Sequence, residues 1–235
     1  MRNRFTILEL MIVITILLIL AALLLPILNK AKEKGRRISC ISNLRQLAMT
    51  QIDFSKDNDQ KYVLGAYDQW LVYSTTVYDT LTGTGYVQFG PFWEQEYLTE
   101  KQVYWCPSFI DKTSKPGWLK RSLWPPGSFK VTHSHYQMSP SDSDGNMIHW
   151  GAGYRGMPDV KLSELDAGKA TMTDAFGQFN QVSSRHGDGI SAAYVDGSVI
   201  WWGSSDFIEQ VSTIDTWRTS SSIQAYWDTW EFINK

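Results

Sequence analysis

Residues 5–28 read FTILELMIVITILLILAALLLPIL, and Thr6, Glu9 and Thr15 are the only polar side chains in that stretch. As a helix rising about 1.5 Å per residue it reaches about 36 Å, enough to cross a hydrocarbon core of roughly 30 Å. A secretory signal peptide with Arg2 and Arg4 as its basic start is the rival reading, but the apolar run is too long and no Ala-x-Ala site follows it. Pro26 stands near the far end, where a helix can continue with a kink. Glu9 needs a reason. A carboxylate in an apolar helix costs about 2.5 to 3.5 kcal/mol near the bilayer centre and less near the edge, so such an acid is by default functional. Either it snorkels to the interface, or it meets a positive partner in an assembly and specifies register.

Beyond Leu28 the helical signature continues, with Ile38, Ile41, Leu44, Ala48 and Ile52 forming one apolar stripe. A single helix from Phe5 to about Ser55 would be about 77 Å long. Its second half can bury the stripe against a sheet, the basic run 30–37 is expected to stay wet or attract anionic headgroups, and Gly35 marks a soft point.

Charge divides the chain at the same place. Residues 1–55 carry eight basic and three acidic side chains, and residues 56–235 carry fourteen and twenty-one, so the net charge of −2 is a cancellation. The acidic larger part has no basic excess to drive nucleic-acid binding, and its aromatic and aliphatic content excludes disorder. Two cysteines, Cys40 and Cys106, argue against a disulfide-dense scaffold or a four-thiolate zinc site.

Residues 56–235 hold all eleven Trp, in short alternating or aromatic runs at 69–73, 86–89, 103–106 and 191–195, set apart by Gly, Pro, Asp and Ser. That is strand-and-turn punctuation. Short helices are expected at Trp93–Leu98 and from Asp206, and residues 112–130 read as a long loop. The stretch from Arg185 to Trp202, RHGDGISAAYVDGSVIWW, reads as a β-hairpin whose Asp-Gly turn needs positive φ at both central positions. His186 and Asp196 would lie at opposite ends of a strand, on the order of 30 Å apart, and could not share a ligand. A local metal site from His186 and Asp188, or one including Asp174, stays open. Calcium suits those carboxylates better than zinc, because no clustered set of Cys and His is visible. His133 and His135 sit on one strand face and, with His149, read as satisfied polar positions rather than a zinc pair.

The segment Arg4-Phe5-Thr6-Ile7-Leu8-Glu9-Leu10, the apolar run and Pro26 together resemble the prepilin N-terminus of type IV pilins and type II secretion pseudopilins. His186-x9-Asp196-Gly197 resembles the C-terminal signature of a bacterial subfamily of such proteins. The resemblance implies a leader at 1–4 removed by a prepilin peptidase and methyltransferase between Arg4 and Phe5, with Phe5 methylated. Glu9 becomes the assembly acid and Pro26 the helix-bending proline; Arg4 stands where the family usually has Gly. It implies an α+β fold in which a transmembrane helix at 5–28 and its amphipathic continuation at 29–58 pack on an antiparallel β-sheet head at 59–235, with the signature hairpin at 186–197. It also implies a single-pass bacterial inner-membrane protein, N-terminus cytoplasmic and head periplasmic, that joins other pilin-like subunits on an inner-membrane assembly platform. The positive-inside count points the other way, because five basic residues follow the span; the joint placement of Glu9 and Pro26 decides for the resemblance.

With both cysteines outside the cytoplasm, a Cys40–Cys106 disulfide would stabilise by about 4 kcal/mol; two buried thiols are the alternative. Three functions follow from the sequence: a structural filament subunit, an anchored or filament-displayed module whose exposed aromatics bind a glycan or surface ligand, and a tethered hydrolase. No nucleophile, nucleotide-loop or paired-carboxylate motif supports the last, so no catalytic residue and no resident cofactor are assigned.

Overall fold

The structure, a computed structural model, describes residues 6–63, 76–79, 85–86, 88–108, 131–134, 136–138, 160–174, 186, 189–212 and 228–234. Its longest element, α1, is a 51-residue helix over Ile7–Asp57 with Pro26 inside it. Thr6 caps it reciprocally with Glu9. The Thr6 hydroxyl oxygen accepts the Glu9 N–H at 3.2 Å, and Glu9 Oε2 accepts the Thr6 N–H at 2.9 Å, which satisfies two donors that the first turn would otherwise leave open. At the other end Asp59 and Gln60 take φ of 51° and 67°, turning the chain back so that the Tyr62 N–H bonds the Val160 carbonyl at 2.7 Å.

The two halves of α1 live in different surroundings. Residues 7–32 are exposed all round, and α1 is long and apolar enough there to cross a membrane. From Cys40 onward, Cys40, Leu44, Leu47, Ala48, Gln51, Phe54 and Ser55 are buried, a three-and-four repeat that lays one stripe on the head. That stripe is turned from the expected one. Leu44 and Ala48 belong to both, but Ile38 is 67 % exposed and Ile41 and Ile52 are only half-buried. The docked face includes Gln51 and Ser55, where Gln51 Nε2 donates to Ser55 Oγ and the Ser55 hydroxyl donates to the Lys61 carbonyl, so hydrophobicity alone did not locate it.

The strands form two antiparallel sheets. β1 (Thr76–Asp79) lies between β2 (Gly85–Tyr86) and β3 (Val131–His133); the second sheet runs β4 (Tyr136–Met138), β5 (Ala170–Asp174), β6 (Ile190–Tyr194) and β7 (Val199–Trp202) in that order. The fold is therefore α+β, a long N-terminal helix on an antiparallel sheet. β6 is buried on both faces. Ala193 joins the cluster of Leu44, Leu47, Tyr104, Tyr136 and Met172 beneath α1. Ile190, Ala192 and Tyr194 meet Phe207 of α3 (Ser205–Ser212) and Trp230 and Ile233 of a helix over 228–233. A strand with helices on both faces reads as continuous burial rather than alternation.

Local expectations are corrected at four places, the first being the run 86–89, where β2 ends at Tyr86 and Gln88 and Phe89 lie in a turn with Gln88 at φ of 51°. Val103–Cys106 does not form a strand: Lys101–Tyr104 is a 3-10 turn, held by local bonds from the Val103 N–H to Glu100 O and from the Tyr104 hydroxyl to Leu98 O. A short helix, α2, forms at Gly90–Glu94, just ahead of the expected segment. The β6–β7 hairpin is present, but its loop has three residues. The Gly197 N–H bonds Tyr194 O at 2.9 Å, the Tyr194 N–H bonds Ser198 O at 2.9 Å, and only Gly197 takes positive φ, at 82°. This is a β-turn followed by a glycine bulge rather than a two-residue turn. The run at 69–73 and the loop at 112–130 lie outside the described residues.

Candidate functional site

The titratable groups converge at one point beneath α1. Cys40 comes from the helix, Cys106 from the segment after the 3-10 turn, Asp174 from the end of β5, and His186 from the chain just before β6. All four are buried, and their ligand-type atoms lie within 4.8 Å of one another. Nothing local in the sequence joins them; the fold does.

Each group is held by its own element. Asn43, one turn after Cys40, donates from Nδ2 to the carbonyls of Trp105 at 3.1 Å and Gln102 at 3.3 Å, which fastens the Cys106 segment to the helix. Tyr136 pairs with Asp174 across β4–β5, and Asp174 Oδ2 accepts the Ser191 N–H of β6 at 2.8 Å. His186 has its Nε2 3.4 Å from Cys106 Sγ and 3.7 Å from Asp174 Oδ2, while its Nδ1 lies 2.9 Å from Glu33 Oε1. Ser108 donates to the same Glu33 oxygen. The His186 and Trp201 rings stand nearly perpendicular with centroids 5.4 Å apart, and the Arg37 guanidinium lies over the Trp201 ring at 3.7 Å. Arg36 reaches Glu33 at 3.5 Å.

The electrostatics follow from burial and from opposing charges. Burial opposes charging of His186, yet the Cys106 contact and the Asp174 and Glu33 carboxylates outweigh it and raise its pKa to about 9. Burial, the Cys106 contact and the Asp174 charge push the Cys40 thiol far above its ordinary value, and burial first, then the neighbouring negative charge, does the same to the Tyr136 phenol. A thiol held protonated in this way is a poor nucleophile. The arrangement offers four converging donors to a single bound ion.

The structure brings the expected pair Cys40 and Cys106 together, both buried, with Sγ to Sγ 2.8 Å, against about 2.05 Å for a disulfide bond. Asp174 joins His186; Asp188, His135 and His149, like Arg4 and Phe5, lie outside the described residues. Asp196 is exposed in the hairpin loop, where its Oδ1 accepts the Ser198 N–H at 2.8 Å, while His186 is buried beside Cys106. His186 and the hairpin turn therefore dock separately on one helix. His186 meets Glu33, and a Cβ at Gly197 would stand 3.1 Å from Met49 Sδ and 3.5 Å from Ile52 Cδ1. Glu33 is the residue that sequence reading missed. Its signal was slight: the single acid in the basic run 30–37, seven residues before Cys40 on the same helix face. That run is also less wet than expected, since Glu33, Arg36 and Arg37 are half-buried. No protein-family model, curated protein or solved structure matches the chain.

Proposed function

We propose that this chain is a pilin-like structural subunit. On this reading it is held in a bacterial inner membrane by residues 5–28 with its head outside the cytoplasm, is processed before Phe5 by a prepilin peptidase, and is drawn through an assembly platform into a type IV pilus or type II secretion type filament. The observation that carries the reading is the division of one continuous helix. The half from Cys40 onward is docked on the sheet, whereas residues 7–28 are apolar and exposed on every side. Surface of that kind is stable in lipid or against copies of itself, and a filament supplies the second after the first. Glu9 adds to it, because the carboxylate that caps the helix in the single chain stands at the end where a neighbouring subunit's amine would arrive in a filament.

The experiment is to express Glu9→Ala and wild-type chains in the native host and to compare sheared surface filaments with membrane-retained protein. The expected result is unchanged membrane level and at least a tenfold loss of filament. Equal filament yield would overturn the reading, as would a mature chain whose N-terminal peptide, measured by intact mass, still begins at Met1 rather than at methylated Phe5.

A further inference from the structure

We propose that Cys40, Cys106, Asp174 and His186 form a closed zinc site that fastens the stalk helix to the sheet. Tetrahedral zinc bonds of about 2.3 Å to sulfur and about 2.0 to 2.2 Å to nitrogen and oxygen set ligand-to-ligand edges of about 3.3 to 3.8 Å. The His186 Nε2 to Cys106 Sγ separation of 3.4 Å is close to a nitrogen–sulfur edge, and the His186 Nε2 to Asp174 Oδ2 separation of 3.7 Å is a few tenths of an ångström longer than a nitrogen–oxygen one. The sulfurs, at 2.8 Å, would have to part by about 1 Å, and the other separations, all within 4.8 Å, would have to settle to such edges.

The donor set selects the metal. Two sulfurs, one imidazole nitrogen and one carboxylate suit zinc, whereas calcium takes six to eight oxygens. Calcium, preferred to zinc in the sequence only for a metal held by carboxylates, would find too few oxygens in this donor set. The outer contacts have the form such a site uses. Glu33 at His186 Nδ1 takes that nitrogen's proton as a hydrogen bond and leaves Nε2 to face the metal, and Ser108 steadies the Glu33 oxygen. On binding, the two thiols and His186 Nε2 release their protons to solvent. The dication with two thiolates and one carboxylate then carries a net single negative charge, beside Arg36 and Arg37 on the same helix turn. All four positions are filled by protein, so the metal's work would be structural. The site is independent of the filament reading, since neither requires the other.

The test uses the full-length protein in detergent, prepared with thiols protected and no metal added. Zinc per chain is measured by mass spectrometry, and thermal unfolding by Trp fluorescence before and after a zinc chelator. The expected result is close to one zinc per chain, a chelator-dependent fall in melting temperature, and loss of zinc in Cys106→Ser. Because that variant can fail to fold, Glu33→Gln is measured beside it; it leaves the four ligands in place and should weaken zinc binding by about 10- to 100-fold. Cobalt added to metal-free protein should give the visible bands of a tetrahedral thiolate site. The proposal is overturned if alkylation shows a Cys40–Cys106 disulfide, if both thiols are free and added zinc does not bind, or if Glu33→Gln and Cys106→Ser both keep wild-type affinity.

Discussion

Replacing Gly197 by alanine measures what the glycine of the β6–β7 hairpin contributes. Gly197 has φ of 82°, and an L side chain in that left-handed region costs about 1 to 2 kcal/mol relative to glycine. The new Cβ would also meet Met49 Sδ at 3.1 Å. That contact is tight by a few tenths of an ångström, but Met49 is 47 % exposed and its thioether can swing aside, so sterics add little. The expected loss is about 1 to 2 kcal/mol, which for a chain of this size lowers the melting temperature by roughly 2 to 8 °C. Trp fluorescence reads it cleanly, because all eleven Trp lie beyond residue 56. Gly197→Asn should recover part of the loss, since Asn tolerates the left-handed region. Gly189 is the contrast: a Cβ there would lie 2.1 Å from the Trp202 carbonyl oxygen, which cannot move without parting β6 from β7, so Gly189→Ala should cost more than 3 kcal/mol or prevent folding. If Gly197→Ala is neutral, or Asn is as damaging as Ala, the backbone account of the signature glycine is wrong.

Two further changes test how α1 sits. Leu44→Ala, in the docked stripe, should cost about 3 to 5 kcal/mol, whereas Ile38→Ala at an exposed position should cost under about 0.5 kcal/mol; comparable losses at the two would refute the observed helix face. Gly35, with nothing within 4 Å of a built Cβ, should accept alanine with a gain of about 0.5 to 1 kcal/mol from helix propensity, read as a raised melting temperature; a loss would mean that a bend there matters.

The parts of this molecule that were legible in sequence are those whose cause is local. Twenty-odd apolar residues followed by a three-and-four repeat make a long helix wherever they occur, and Asp196-Gly197 between two apolar runs makes a hairpin. What was not legible depends on partners far away. Cys40, Cys106, Asp174 and His186 were each noticed for their chemistry, but no two of them sit at a metal-ligand spacing, because every one is delivered by a different element. Reading Val103 to Cys106 as a strand hid the 3-10 turn that aims Cys106 at the helix. Glu33 was lost among its basic neighbours, since a carboxylate in a charged run declares nothing until an imidazole is brought to it. The docked face of α1 was misjudged by about one position for the same reason: Gln51 and Ser55 are buried by specific hydrogen bonds that hydropathy does not register.

β6 and its turn lie along α1, with His186 beside Glu33 at one end and Gly197 beside Met49 and Ile52 at the other. A force applied to the helix along its axis would thus meet these attachments in shear, all straining together, and not in a peel that breaks them one after another. A head seated this way resists traction along its stalk far better than a sideways tug.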